Sequence, residues 1–402
     1  SFLNNYYRLS FQNLNKALIQ SWLSSPLTHV RNIAGNAFVA LERPIAIASS
    51  GVLTGDKQQI KAAIAMFDSF GQTITDSFAV ARESLKYDES IVGGSKFHDY
   101  ASKSTKEVEN LLQVASNPAE KFAAKSLKMF HDYTNMPWLS WSGKGLQAGD
   151  DYFKSMVARM DLRYQAAIEA DALEGVTKGD KYKELLNNKI GPKGEILDSE
   201  LMRSATEATF QKDLEGKMKK IADSINDHPE IKSFIPFAKT PHNINVYAVE
   251  HIPFLARFTQ EYKQVMKTGT EMEKAIMRGR EAIGGLLITS AFTAAATGNM
   301  TGNGPADPEL RKLWLRDHEP MSIKVGNKWV SYRSIVGAEL LFSAVSDIVN
   351  IWDMLPEGEG DKLTAQLIYT VANTATNRSY FKGFVDMSEA LDVKNLSGKK
   401  MS

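Results

Sequence analysis

The chain has no cysteine among its 402 residues. Disulfides, zinc ribbons, iron–sulfur clusters and thiol nucleophiles are therefore excluded, and the fold does not depend on the redox state of its surroundings. An excess of charge of one sign is also missing, because 48 Lys and Arg are balanced by 47 Asp and Glu, a net charge of +1. A wide surface that binds nucleic acid usually carries a basic excess. The overall composition gives no sign of one.

The first five residues lack the basic and then apolar pattern of a signal peptide.

The signatures of common enzymes are missing as well. The seven histidines form no HExxH pair, and the chain contains neither a Walker GxxxxGK[ST] motif nor a GxSxG elbow. The glycines of residues 143–149 have the wrong spacing for a dinucleotide-binding turn, and they predict a loop. We therefore expect no enzyme, no catalytic residue, no cofactor and no metal site.

Two alternatives remain open. Glu89-Ser90 and Glu83-Ser84 resemble the Glu-Ser element of lytic transglycosylases, which cleave peptidoglycan, although the downstream elements of that family are incomplete here. Such a glutamate must lie in an apolar cleft that raises its pKa, whereas residues 88–90 read as an exposed loop. The other alternative is a DNA-binding scaffold inside a capsid, centred on the lysines of residues 212–220. The run Lys217-Met218-Lys219-Lys220 is, however, more typical of one solvated helix face than of a phosphate-binding site.

Apolar residues at three- and four-residue steps indicate helices over most of the chain, for example in residues 151–172. Helix starts are marked by proline behind a capping side chain, at Ser25-Pro26, Asn117-Pro118, Thr240-Pro241 and Asp307-Pro308. Pro253 should split a helical pattern. The expected fold is all-α, an elongated multi-helix protein in three helical regions, residues 1–140, 141–235 and 236–402.

One small β-hairpin is expected at about residues 322–332. Two short strands with alternating polarity flank Gly326-Asn327, and glycine at the first turn position suits a type II′ turn. A lone two-stranded sheet is marginal in water, so the hairpin should pack against helices.

Residues 282–298 carry no formal charge, and their length is at the lower limit for a membrane span. Their small residues permit close helix approach. A buried core helix and a helix that enters a membrane after rearrangement both remain open interpretations. The candidate membrane residues are Ala282, Gly284, Gly285, Leu286, Leu287, Ile288, Ala291 and Phe292.

A polar line follows the helix start at Ser25-Pro26. His29, Asn32 and Asn36 share one helical face, and burying such groups without partners costs roughly 1–3 kcal/mol each. They form either an amide network in the core or an interface with another subunit. The candidate interface residues here and near position 240 are Ser25, Pro26, Thr28, His29, Asn32, Asn36, Thr240, Pro241 and Asn243.

Three stretches resemble, in order, the motifs of internal virion and ejection proteins of short-tailed bacteriophages, which also occur as modules of large polyvalent phage proteins. The first is residues 24–36 (SSPLTHVRNIAGN), and the second is residues 237–244 (FAKTPHNI). The third is residues 301–308 (TGNGPADP), followed by Trp314 and the hairpin. Residues 334–337 depart from the family, which has a proline-containing element there.

The resemblance implies a virion structural protein that is packaged inside the capsid and is part of the DNA-ejection conduit. It implies other virion proteins as partners (the portal or fellow ejection proteins), a homo-oligomeric ring, the host membrane, and non-specific contact with phage DNA. After ejection the expected location is the host periplasm or inner membrane. No catalytic residue is carried over, because these motifs are not catalytic ones.

Overall fold

The computed structural model describes residues 2–352, except 88, 94–95, 215–218, 220–238, 254, 306–307, 334 and 336–337. Within these residues the chain forms 14 α-helices and one two-stranded hairpin. The expected all-α fold with one small hairpin is therefore confirmed. Residues 353–402 of the third expected region lie outside the described residues.

Several of the first nine helices begin at the proline and capping residues that predict a helix start. In chain order they are α1 (Phe2–Leu23), α2 (Pro26–Thr54), α3 (Lys57–Ala65), α4 (Phe70–Tyr87), α5 (Lys96–Val114), α6 (Pro118–Thr134), α7 (Pro137–Asp171), α8 (Lys178–Lys189) and α9 (Ser199–Ala208). Proline needs no hydrogen-bond partner at a first helical position, because it lacks the N–H that would be unsatisfied there. At α6 the Asn117 side chain accepts a hydrogen bond from the Glu120 N–H, at 2.8 Å.

The later elements include the hairpin. They are α10 (Lys239–Glu250), a 3₁₀ helix (Ala256–Phe258), α11 (Gln260–Thr268), α12 (Glu271–Ala296), α13 (Pro308–Trp314), β1 (Ser322–Val325), β2 (Lys328–Ser331) and α14 (Ala338–Trp352). The helical pattern is interrupted around Pro253, as expected. Thr270 and Glu273 form a capping box at the start of α12.

Contacts divide the chain into two units. The first is Ser1–Ala40 with Ile64–Lys239, and the second is Leu41–Ala63 with Thr240–Ser402. This grouping differs from the three consecutive regions expected from the sequence. The boundary expected after residue 140 falls inside α7, which is continuous, whereas the boundary expected after residue 235 lies close to the observed one.

Helix α7 is central to the first unit and packs against α1, α4, α8 and α9. Its apolar stripe enters a core that also includes side chains of its neighbours: Val80, Val92, Ala158, Leu162, Ala166, Leu185, Ile190, Ile196, Leu201 and Ala205. The loop expected at residues 143–149 is wrong, because α7 runs through it. Each glycine there costs about 1 kcal/mol of helix stability. Ala148 and Asp151 of the same helix are buried, and this packing is the stabilising contribution that stands against the cost of the glycines.

A smaller core of the first unit joins α1, α5 and α6. It contains Leu9, Val108, Leu111, Ala115, Ala124 and Leu127. Beside it lies the buried His131, whose Nδ1 is 2.8 Å from Asn13 Oδ1 and whose Nε2 is 3.1 Å from Thr105 Oγ1. Burial is the main cause that lowers the pKa of His131, and the charge of Lys16 lowers it further.

In the second unit the hairpin packs between α12 and α14. The shared core contains Ala291, Ala295, Met300, Met321, Tyr332, Val345 and Val349. The strands pair from Ser322 with Ser331 to Val325 with Lys328. Gly326 has a φ of 61° and Asn327 is not among the residues with positive φ, which fits the expected type II′ turn.

The third motif is fixed to α14 by the half-buried carboxylate of Asp347. Asn303 donates from its backbone N and from its Nδ2 to the two oxygens of Asp347, both at 2.8 Å. The Tyr332 hydroxyl donates to the Thr301 carbonyl at 2.6 Å, and Arg311 Nη1 donates to the Asn303 carbonyl at 2.7 Å. A Cβ on Gly302 would overlap Asp347 Oδ1. The motif therefore packs closely enough to require glycine.

Gly302→Ala should destabilise the second unit by about 1–3 kcal/mol, because the added methyl group forces the loop away from Asp347. Guanidinium unfolding followed by tryptophan fluorescence measures the loss. The control is Gly285→Ala in α12, where a Cβ would meet only Pro253 Cγ, at 3.7 Å. That variant should be neutral or slightly stabilised. Equal unfolding midpoints for Gly302→Ala and the unchanged protein would contradict the close packing.

Candidate functional site

Helices α2, α10 and α12 meet in the second unit at a cluster of buried polar and charged side chains. Glu42 comes from α2, Tyr247 and Glu250 from α10, and Arg280 from α12, while His251 directly follows α10. Each of the five is at most 5% exposed. These five residues are termed the buried charge network.

Arg280 lies between two carboxylates. Its Nη1 donates to Glu250 Oε2 at 2.6 Å, and its Nε lies 3.6 Å from Glu42 Oε2. The guanidinium carbon is also 4.9 Å from the centre of the Tyr247 ring, within the range of a cation–π interaction. Removing such a charge from water is costly unless its partners are buried with it. The three helices are thus joined through one side chain.

Glu42 is the acceptor shared by the network. Tyr247 OH donates to its Oε2 at 3.1 Å, and His251 Nε2 lies 3.5 Å from its Oε1. Burial acts to raise the pKa of Glu42, but the hydrogen bond from His251 and the charge of Arg280 outweigh it, so the pKa is lowered. Burial raises the pKa of Tyr247, which keeps its hydroxyl a donor. Glu42 is therefore an ionised carboxylate.

The position of His251 determines which of its nitrogens carry protons. Nδ1 lies 2.8 Å from the Tyr247 carbonyl oxygen, which can only accept, so Nδ1 carries a hydrogen. Nε2 faces the Glu42 carboxylate, which also can only accept. His251 therefore lies between the end of α10 and the Glu42 carboxylate of α2.

Two glycines of α12 permit this close packing. A Cβ on Gly279 would overlap the carbonyl oxygen of Ala46 in α2, and a Cβ on Gly284 would overlap the carbonyl oxygen of His251. Backbones approach this closely only where one of them has no side chain. Gly284, near the start of the candidate membrane segment, is thus used for packing within the second unit.

The rest of the candidate membrane segment has two different faces. Gly284 and Ala291 are buried, Ala282, Gly285, Leu287 and Ile288 are half-buried, and Leu286 and Phe292 are exposed. Helix α12 ends at Ala296, so any stretch of 18 of its residues includes the charged Arg280 and Glu281. The helix therefore contains no uncharged stretch of that length. Within the described residues, only Asn32–Thr54 of α2 is long and apolar enough to cross a membrane, by length and composition alone, and half of that stretch is buried. Sequence reasoning missed it because Glu42-Arg43 interrupts the apolar pattern.

The polar line of the first motif forms an amide network in the first unit. Asn36 Nδ2 donates to Asn32 Oδ1, and Asn32 Nδ2 donates to Asp150 Oδ1 in α7, both at 3.2 Å. Gln211 Nε2 donates to the other oxygen of Asp150, and Lys154 Nζ donates to Gln211 Oε1 at 2.6 Å. Of the two interpretations, the amide network is the one observed for Asn32 and Asn36.

The other candidate interface residues are divided between the two units. His29 lies beside Gly145 of α7. Ser25, Pro26 and Thr240 are exposed, and Asn243 is half-buried. The side chains of Thr28 and Pro241 lie outside the described residues.

The glutamates of the enzymatic alternative do not lie in an apolar cleft. Glu89 is exposed, and Glu83 lies 3.9 Å from Lys86 at the surface. Ser84 Oγ donates to the Glu89 carbonyl at 2.9 Å, and Ser90 Oγ donates to Asp151 Oδ1 at 2.7 Å. Among the residues described, no group of three His, Asp or Glu could hold a metal ion. Most of residues 212–220 lie outside the described part of the chain.

No protein-family model, curated protein or solved structure matches this chain.

Arg280→Gln should cost about 3–5 kcal/mol of stability, because it leaves two buried carboxylates facing each other without their cation. The control is Arg278→Gln, two residues away on α12 and half-buried, which should change stability by at most about 0.5 kcal/mol. Denaturant unfolding followed by circular dichroism compares them. Equal effects of the two substitutions would show that the network does not hold the helices together.

Asp150→Asn should affect stability more favourably at pH 7.5 than at pH 3, although its amide Nδ2 then faces one of the two donors, Asn32 Nδ2 or Gln211 Nε2. Burial is the main cause that raises the pKa of Asp150 to about 6, against the lowering by Lys154 and by the hydrogen bonds of Asn32 and Gln211. Because this pKa exceeds the unfolded value of 3.8, the folded state binds the proton more tightly, and the stability gained is lost as the pH rises through 6. Thermal unfolding at the two pH values tests this, and a pH-independent effect would refute it.

Proposed function

We propose that the chain is a structural component of a bacteriophage particle, of the internal or ejection type. The observation that carries this proposal is the resemblance of three motifs that occur in the order found in that family. Each motif also lies at a boundary of secondary structure: the first begins α2, the second overlaps the start of α10, and the third lies between α12 and the hairpin. Structural positions of this kind favour an assembly function over catalysis.

The proposed mechanism is a rearrangement of packed helices. In the particle, the chain would lie inside the capsid beside the portal or fellow ejection proteins, as one copy in a ring. During ejection it would become part of the conduit for DNA across the host envelope, in the periplasm or inner membrane. Contact with lipid is better assigned to Asn32–Thr54 than to residues 282–298, because only the former has the length and composition of a span.

Catalysis is not part of the proposal. A peptidoglycan-cleaving glutamate would need an apolar surrounding that holds its proton, and the exposed Glu89 does not have one. We expect wild-type protein to show no activity in a peptidoglycan zymogram.

The test is mass spectrometry of purified particles before and after ejection is triggered. The expected result is that peptides of this chain are present in full particles and lost from emptied ones, while peptides of the major capsid protein remain in both. Absence from full particles would refute a virion role. Retention after ejection would refute the ejection role and leave a fixed structural one.

A further inference from the structure

The hairpin is basic and its charges are unbalanced. The charged residues of the strands and of the segment that follows them are Lys324, Lys328 and Arg333, all positive, whereas two exposed carboxylates, Asp317 and Glu319, precede β1. All three cations are exposed, and none forms an ion pair with a carboxylate of the described chain. The nearby Lys312, in contrast, is 2.8 Å from Glu309. The hairpin thus presents three cations in a protein whose net charge is only +1.

The base of the hairpin is held firmly. Beyond β1, the Thr301 N–H donates to the Ser322 carbonyl at 2.9 Å, and the Lys324 N–H donates to the Asn299 carbonyl at 2.8 Å. Strand β1 is therefore paired on both sides, and β2 forms the outer edge. At the tip, Val325, Gly326, Asn327 and Lys328 are all exposed. The hairpin is therefore a short two-stranded ribbon whose base is fixed and whose tip is exposed.

Trp329 positions one of the cations. Its Nε1 donates to the Asp317 carbonyl at 3.0 Å, and its ring lies 5.9 Å from that of His318, which stacks on Trp314 at 5.0 Å. The Lys324 ammonium lies 5.7 Å from the centre of the Trp329 ring. A cation–π interaction at this distance holds the charge near one direction without neutralising it.

We propose that this hairpin binds the phosphate backbone of duplex DNA through Lys324, Lys328 and Arg333. A two-stranded ribbon is one of the two elements that the major groove admits. Lys328 and Arg333 are five residues apart and are separated by at most roughly 17 Å, because the extended chain ends at Ser331. The strand register places Lys324 and Lys328 on opposite faces of the ribbon, so the two can reach different phosphates. Phosphate contacts carry no sequence information, so the binding is independent of base sequence.

An anionic membrane fits this surface less well. Recognition of acidic lipids typically uses clusters of about four to eight basic residues beside an apolar anchor, and the hairpin has three. The proposal concerns a site that the sequence did not indicate, since the basic residues expected to meet DNA were those of residues 212–220. The choice of DNA as the anion rests on the proposed function, because the hairpin alone specifies only a partner of negative charge.

The experiment uses the full chain and a short fluorescent DNA duplex of mixed sequence, with binding followed by anisotropy. Three phosphate contacts predict a slope of about −2.7 for the logarithm of the binding constant against that of salt concentration, so affinity should fall about 40-fold between roughly 50 and 200 mM salt. The variant combining Lys324→Gln, Lys328→Gln and Arg333→Gln should bind at least about tenfold more weakly at the lower concentration, with a slope near zero.

The matched control combines Lys106→Gln, Lys121→Gln and Lys125→Gln, which removes three exposed cations from α5 and α6. It should keep the wild-type affinity and slope, and circular dichroism should show both variants folded. Equal loss in both variants would overturn the proposal in favour of a general charge effect. Unchanged DNA binding by the hairpin variant would also overturn it. If that variant instead loses binding to phosphatidylserine vesicles, the surface recognises lipid.

Discussion

The guanidinium of Arg280 can be buried only with both of the carboxylates that surround it, because a lone ion in the interior is destabilised by several kcal/mol. Glu42 and Glu250 come from segments more than 200 residues apart, and Arg280 comes from a third. Helix α12 must therefore approach α2 and the end of α10 closely enough for side chains to meet, and Gly279 and Gly284 remove the methyl groups that would prevent it. The hydrogen-bonding positions of Tyr247 and His251 then follow from the single carboxylate that they share.

The same network governs what α2 can do. Asn32–Thr54 has the length and composition of a membrane span, but Glu42 and Arg43 lie near its middle and are buried. Placing each such charge at the centre of a bilayer costs about 2.5–3.5 kcal/mol on translocon-insertion scales. Separation of α2 from α12 would also leave Arg280 and Glu250 without Glu42. Any insertion of α2 must therefore supply new partners for these charges or move the paired helices together, which makes the network the main barrier to the rearrangement that we propose.

Local signals in the sequence predicted local structure well. Proline at first helical positions, the interruption at Pro253, and glycine before asparagine in the hairpin each act over a few residues, so one sequence window contains the whole cause. The glycines of α7 were misread because the burial of Ala148 and Asp151 depends on helices distant in sequence. The buried charge network was missed for the same reason, since a single Glu or Arg in a window reads as a solvated side chain. One signal was present: Arg280 follows Gly279 and stands four residues before Gly284, in the helix with the most small residues.

In the second unit, the charges that are packed against other elements and the charges that are exposed at the surface have different consequences for function. The Asp347 carboxylate is satisfied by both donors of Asn303, so this part of the third motif is committed to holding the loop on α14. Lys324, Lys328 and Arg333 follow within thirty residues and have no carboxylate partner in the described chain. Because the loop and β1 are hydrogen-bonded to each other, the Asp347 carboxylate also fixes the base of the hairpin that carries these cations. The third motif and the hairpin that follows it thus have two roles. Asn303 and Asp347 hold the loop on α14, whereas the exposed cations of the hairpin are the charges that a partner can bind.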